Sequence, residues 1–316
     1  MDYIEKDIPV KEIEPIDMSM FNKMAKMPRF LIRYFLKKNI WIIRESFGGN
    51  SRDITKRSIK MENRKIDGLK GKIKIQIFVP EGEKKQRPLL MFYHGGGWVA
   101  GTMWAVENFC KGVCDQADCV VISVGYHLAP IHPYPIGLED SYAAIKWAVE
   151  NKDYLQIDLS KIILSGDSAG GNFAAVLSLI ARERNEFSIN KQILIYPATN
   201  LAEPMMTDTS KIPLGLMKVN EAMMDLYFKG KVNKKDPHIS PVFAKDLSNF
   251  PATLITVGGQ DFLSESSLAF GKKLDAAGTA VKFILYKNAN HAFIDDTGNA
   301  DIADDFVRET AEFIKN

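Results

Sequence analysis

The sequence predicts an α/β protein built on a doubly wound, mostly parallel sheet. Three observations carry that expectation. Apolar runs without alternation recur at Pro88 to Tyr93, Cys119 to Val124, Lys161 to Leu164, Gln192 to Tyr196, Thr253 to Val257 and Lys282 to Leu285. Such runs suit central strands covered by helices on both faces. Segments of helical texture lie among them, at Leu138 to Glu150, Ala169 to Arg184 and Ser264 to Ala277, the last with Gly278 as a C-cap candidate. Strand alternating with helix implies parallel pairing.

In chain order, residues 1–60 read as helical and amphipathic. Methionines and Phe21 recur at helix-like spacing from Met18 to Met27, and Arg29 to Glu45 repeats the pattern with aromatics. Asn50 to Asp53 marks a break. Lys72 to Val79 (KIKIQIFV) alternates apolar and polar residues, as a half-exposed strand does. Asn200 to His238 interrupts the strand–helix alternation and carries Met205, Met206, Met217, Met223 and Met224. An insertion of that length between two buried strands predicts a functional lid. The expectation is one domain over residues 1–316, with a helical cap built from about 1–50 and 200–238.

Composition removes several classes of function. Forty-one basic and 39 acidic residues leave a net charge of +2, and the cations are scattered without a basic block, so nucleic acid is not expected as a partner. Asp2, Glu5 and Asp7 at the start do not form the basic opening of a signal peptide. Phe30 to Ile43 is interrupted by Arg33, Lys37, Lys38 and Asn39, so stable membrane insertion is not expected. The N-terminal helices are read as cap packing, since the strong basic face of a membrane-surface helix is missing. Cys110, Cys114 and Cys119 are few and odd in number, which fits buried thiols in a reduced, cytoplasmic protein. Cys110 and Cys114 share a helix face, but a zinc site needs more ligands than these, and no metal is expected.

The chemistry concentrates in three places. Residues 161–177 read KIILSGDSAGGNFAAVL: a buried strand runs into Gly166-Asp167-Ser168-Ala169-Gly170, and an Ala-rich helix follows. That is G-x-S-x-G in a strand–turn–helix context, which holds a serine on a sharp turn with its hydroxyl exposed. The turn crowds its flanks, so glycine is needed on both sides. Helix N–H groups beneath Ser168 favour developing negative charge. The plainer reading is a Gly-rich turn that binds phosphate or merely packs; the phosphate version wants a Lys-Ser/Thr pair where Gly171-Asn172 stands.

Residues 89–98 read LLMFYHGGGW, a buried strand ending in three glycines. Such a loop lets backbone N–H groups converge on one point, as an oxyanion hole requires, with a further donor expected at Ala169. Taken alone the loop is only a flexible glycine run; its place about 70 residues before the serine turn gives it meaning.

Five histidines are present: His94, His127, His132, His238 and His291. Only His291 follows the last strand, where the order serine, acid, histidine puts the general base. Asp261 follows the preceding strand and would hold the imidazole in its working tautomer, or would cap the helix starting near Leu263. Glu265 is the competing acid. His127 and His132 resemble a ligand pair, but prolines 130 and 133 make their loop a rigid support.

The segments HGGGW (94–98), YHLAPIHPYP (126–135), GDSAGGN (166–172), GGQDFL (258–263) and NHAF (290–293) together resemble the hormone-sensitive-lipase-like carboxylesterases of the α/β-hydrolase fold. The resemblance implies an α/β-hydrolase sheet under a cap, a triad of Ser168, Asp261 and His291, oxyanion donors at Gly96, Gly97 and Ala169, and no cofactor. The implied partner is a small-molecule ester of short- to medium-chain acids, cleaved through an acyl-enzyme; a homodimer is left open. Activity is expected to fall on the acid side as His291 protonates, at about 6.5 for an ordinary imidazole. The family usually has Arg and Glu where His127 and Ile131 stand, which puts the support of that loop in question, and a second Asp where Glu265 stands. A non-catalytic receptor on the same fold would be expected to lack a triad member; an amidase or peptidase stays open.

Overall fold

Strands β1 (Asp2–Lys6), β2 (Ile59–Gly68), β3 (Gly71–Pro80), β4 (Arg87–Tyr93), β5 (Val120–Gly125), β6 (Ile157–Asp167), β7 (Lys191–Ile195), β8 (Ala252–Gly258) and β9 (Val281–Tyr286) pair into one sheet in the order β1-β9-β8-β7-β6-β4-β5-β3-β2. The coordinates are a computed structural model that describes residues 1–9, 19–46, 51–83, 85–204, 206 and 212–316. β3 alone runs against the rest, so the sheet is mostly parallel as expected. The central strands explain their composition: Leu89 to Tyr93 in β4 and Ile162 to Leu164 in β6 are buried whichever face they point to. β3 keeps the alternation its sequence announced only at its start; Ile75 to Phe78 are all buried.

The helices are α1 (Ser19–Ala25), α2 (Arg29–Lys38), α3 (Ile40–Ser46), α4 (Glu107–Ala117), α5 (Ile136–Glu150), α6 (Lys152–Leu155), α7 (Ala169–Arg184), α8 (Leu214–Tyr227), α9 (Ser264–Ala276) and α10 (Asp301–Lys315). α4 packs on α10, and α5 on α7. α7 is apolar nearly all round, with Ala169 to Ala181 buried, because it crosses the sheet centre beneath other elements. Gly278 follows α9 with φ +87, the left-handed stop its position suggested. Cys110, Cys114 and Cys119 are free and buried, and burial raises their thiols.

The N-terminal region is not helical throughout. Residues Asp2–Lys6 form an edge strand that pairs in parallel with β9, in register from Asp2–Lys282 to Lys6–Tyr286. Tyr3 stacks on Phe283 with ring centroids 5.5 Å apart, and Lys6 pairs with Asp305 at 2.5 Å and with Glu309. That first stretch therefore belongs to the sheet rather than to a cap. The long helix expected from Arg29 to Glu45 breaks at Asn39, whose backbone N–H and side-chain amide both bond Phe35 O. Met18, Asn50 and Met205, used in the sequence patterns above, lie outside the described residues.

α1 and α2 pack on α8. Lys218 Nζ of α8 donates to Ala25 O and Met27 O at 2.6 and 3.1 Å, and Arg29 reaches Asp225 and Glu221. α8 in turn covers the glycine loop after β4: Trp98 stacks on Tyr227 at 4.6 Å.

Candidate active site

Ser168 ends β6 and opens α7, with φ 52 and ψ −112. That conformation is strained for a residue with a β-carbon, so its neighbours must hold it there. They do: Ser168 N–H donates to Ile195 O at 2.8 Å, and Ser168 O accepts from Asn172 and Ala198 N–H at 3.0 and 3.2 Å. The glycines are required by contact. A methyl group on Gly166 would come within 2.5 Å of Gly170 and Tyr93 backbone oxygens, and one on Gly170 would lie 1.8 Å from Tyr93 O. Asn172 Nδ2 adds bonds to Ala198 O and Ile239 O, which tie α7 to the chain on either side of the 200–238 insertion.

His291 lies in the loop after β9, with its side chain about one-fifth exposed. Its Nε2 is 3.0 Å from Ser168 Oγ, and its Nδ1 is 2.8 Å from Asp261 Oδ2. A carboxylate only accepts, so the Nδ1 proton faces Asp261 and Nε2 presents a lone pair to the serine hydroxyl. The ring is held between Tyr196 and Phe262, each with its centroid 4.7 Å away. Asp261 is buried, and its second oxygen accepts from Leu263 N–H at 2.7 Å. Asp261 thus contacts the imidazole with one oxygen and the turn before α9 with the other. Glu265 is exposed in the first turn of α9, while the imidazole's Nδ1 partner is Asp261.

The glycine loop is folded back on itself. Gly96 and Gly97 have φ +105 and +60, and Ala100 N–H bonds Gly96 O at 2.9 Å. Among the described residues, the backbone N–H groups of Gly96, Gly97 and Ala169 have no protein acceptor. Unpaired donors at a helix start and in a positive-φ loop are the kind of groups that hold an anion. Met223 of α8 covers it: a methyl on Gly97 would meet Met223 Cε at 2.3 Å.

His94 anchors the loop from below. It is buried and stacked on Tyr126 at 4.5 Å, and Tyr126 Oη donates to His94 O at 2.6 Å. Its Nδ1 donates to Gly95 O at 2.8 Å. Burial lowers its pKa to about 4, so at neutral pH it is an uncharged strut.

Four contributors were invisible to motif reading. Asp167, an unspecified position in G-x-S-x-G, accepts from Gly95 N–H at 2.8 Å through Oδ1, and burial pushes its pKa up to about 7. Tyr196, Phe262 and Met223 lie in segments the sequence singled out, but their contacts at the site come from packing alone. His127 takes over where the family has arginine. Its Nδ1 and backbone N–H both reach the buried Asp140 Oδ2, at 2.7 and 3.0 Å, so the expected weakness of that loop is met by a different side chain. His132 lies beside it, ring centroids 4.2 Å apart.

A mostly parallel sheet with a strained serine at a strand–helix turn, and a histidine–acid pair from the last two strands, defines the α/β-hydrolase class. A family model described as α/β-hydrolase fold matches residues 90–295. Esterase LipI of Mycobacterium tuberculosis is 32% identical over 239 residues, spanning 74% of each chain. An arylesterase of Saccharolobus solfataricus is 30% identical over 249 residues, spanning 78% of each. Among solved structures, an esterase of Pyrobaculum calidifontis superposes with a TM-score of 0.77 at 30% identity, covering 96% of this chain and 98% of that one. This chain belongs to the α/β-hydrolase family, in its hormone-sensitive-lipase-like carboxylesterase branch.

Proposed function

We propose that the protein hydrolyses small carboxylic esters of short- to medium-chain acids through an acyl-enzyme on Ser168. The observation that carries this reading is the continuous relay from Asp261 Oδ2 to His291 Nδ1 at 2.8 Å and from His291 Nε2 to Ser168 Oγ at 3.0 Å. His291 Nε2 takes the Ser168 proton as Oγ attacks the ester carbonyl. Charge gathers on the carbonyl oxygen, within reach of the N–H groups of Gly96, Gly97 and Ala169. His291 then gives the proton to the leaving alcohol. A water, deprotonated by the same imidazole, attacks the acyl carbonyl and frees the acid and Ser168.

In this reading α1, α2 and the insertion containing α8 form a cap over the site. Met223 above Gly97 gives the acyl side of the pocket a pliable, apolar wall. Among the described residues no helix is long and apolar enough to cross a membrane. The three buried free thiols support a reducing, cytoplasmic setting.

The test is p-nitrophenyl acetate with wild type and Ser168→Ala. The wild type should release p-nitrophenol with turnover, and the variant should retain at most the residual rate of a triadless site. Equal rates in the two proteins would remove Ser168 as nucleophile. A chain-length series of the same esters then places the acyl preference.

A further inference from the structure

The α2–α3 region carries an apolar surface that the fold leaves uncovered. α2 buries only Ile32 and Leu36. Its outer side presents Phe30 and Tyr34, each 63% exposed, and the start of α3 adds Trp41 and Ile42 at 64% and 67%. Leu31 and Phe35 flank them, also exposed. Exposed aromatic and aliphatic side chains scattered singly need no explanation; a continuous group of them on one helix and its successor marks an interaction surface. A groove of about 590 Å³ runs along the patch between α2 and the loop after β5, lined by Phe30, Tyr34, Ile131, Pro133 and Phe228.

The charge around this patch is mainly basic, with Asp225 in the groove wall and Glu221 beside it as acidic groups. From Ser19 to Arg44 the sequence has seven basic and no acidic residues, against a net charge of +2 for the whole chain. Arg29 is engaged by Asp225 and Glu221 at the margin. Among the described residues, Arg33, Lys37, Lys38 and Lys229 have no acidic partner. The basic face missing from the linear pattern is therefore present in three dimensions, interleaved with the aromatics. A second copy of this surface would bring like charges together across a two-fold axis. Aromatic rings at headgroup depth with lysine and arginine beside them match an anionic lipid surface instead.

We propose that the outer face of α2 and the start of α3 docks on anionic phospholipid surfaces, lying in the interface without crossing it. The platform is fastened to the site. Arg44 of α3 donates to Val99 O at 2.9 Å and to Ala129 O at 2.8 Å, and its guanidinium lies 5.3 Å from the Trp41 ring centroid. Docking thus seats the molecule with the loop after β4 held rigidly to the lipid-facing helix. The docking does not depend on the hydrolytic reading, and its test does not use lipid hydrolysis.

The experiment is flotation of the full chain with phosphatidylcholine vesicles, alone and with about 30% phosphatidylglycerol. Wild type should float with the anionic vesicles, stay behind with the neutral ones, and be released as salt rises. Lys37→Glu/Lys38→Glu should weaken the partition at least about tenfold, since each cation near an anionic surface contributes about fivefold. Phe30→Ser/Tyr34→Ser should weaken it through the apolar component, and thermal melts of both double variants close to wild type show that both fold. Equal binding to neutral and anionic vesicles, binding unaffected by either pair of substitutions, or no binding at all would each overturn the proposal. So would a dimer in sedimentation velocity that Phe30→Ser/Tyr34→Ser dissolves in the absence of vesicle binding, because the face would then belong to a second copy.

Discussion

Gly95 N–H donates to Asp167 Oδ1 at 2.8 Å, joining the glycine loop after β4 to the residue immediately before Ser168. The two residues are 72 positions apart in sequence, yet one hydrogen bond ties the glycine loop to the turn that carries Ser168. No side chain fits at Gly95, where a methyl group would lie 2.2 Å from Asp167 Oδ2. The carboxyl is buried, and burial outweighs the opposing backbone amides of Gly95 and of Asp167 itself: its pKa rises to about 7. Asp295, nearby and also pushed upward by burial and by Asp167, adds to the strain of charging this pair.

Stability should therefore depend on pH through Asp167, with a definite sign. In the unfolded chain an aspartate titrates near ~3.9. Between that value and about 7 the folded protein holds the proton more tightly, so this group's contribution to stability falls as pH rises and is fully lost above about pH 7. Asp167→Asn keeps an oxygen acceptor for Gly95 and removes the titration. Thermal melts from acid to mildly alkaline pH should show the variant gaining on wild type as pH rises. The gain should be a few kcal/mol at most, because a tenfold difference in proton affinity between the folded and unfolded chains is worth ~1.4 kcal/mol. A stability difference that does not change with pH would rule out a protonated Asp167 in the native state.

The glycines should separate into two classes on replacement by alanine. At Gly170 the new methyl meets the Tyr93 carbonyl at 1.8 Å, backbone against backbone, and nothing can yield. Gly170→Ala should not give soluble, folded protein. At Gly97 the obstacle is Met223 Cε, the end of a flexible side chain, and the residue's φ of +60 costs alanine about 1–2 kcal/mol. Gly97→Ala keeps its backbone N–H, so it should fold with a modestly lower Tm, and its kcat should drop by less than the roughly 10²–10³ that outright loss of one oxyanion donor costs. A Gly97→Ala protein that fails to fold would show that Met223 cannot yield.

His127 should be a stabilising residue with no part in turnover. Its imidazole supplies one of the bonds to the buried Asp140, whose other oxygen accepts Leu69 N–H at 2.7 Å. His127→Ala removes a partner from a buried carboxylate, a loss of about 1–3 kcal/mol. His127→Arg offers the same carboxylate a guanidinium donor in place of the imidazole. Calorimetry should find Tm lowered in the first variant and recovered in the second, with kcat within about twofold of wild type in both. A large loss of kcat at unchanged Tm would reverse that assignment.

The sheet and the site were readable to different depths. β4 to β9 announced themselves because strands buried on both faces tolerate few polar residues, and the serine turn because steric crowding admits only glycine beside it. Asp2–Lys6 was opaque: its strand state comes from pairing with β9 some 280 residues away and from Tyr3 on Phe283, neither of which leaves a local pattern. The Asp167–Gly95 bond was equally hidden, since the motif leaves that position free. The basic character of the α2 face was missed because cations spread through 26 residues look dilute in a line and gather only when the helices turn.

The identity of the acid is open to a direct comparison of two isosteric variants. Asp261 gives one oxygen to His291 Nδ1 and the other to Leu263 N–H. Asp261→Asn can keep the Leu263 bond through its amide oxygen, so the entry to α9 should survive and the melt should stay close to wild type. Its amide nitrogen, turned toward Nδ1, would favour the wrong imidazole tautomer, with the proton on Nε2 and no lone pair for Ser168 Oγ. Turnover should then fall by about 10⁴ at neutral pH. Glu265→Gln, at an exposed position one turn along α9, should leave kcat within about threefold, as a surface change away from the relay does. Ester hydrolysis and a thermal melt on both variants suffice to decide. If the large loss of turnover falls on Glu265→Gln, the 2.8 Å contact between Asp261 and His291 is structural and the acid of this site has been misassigned.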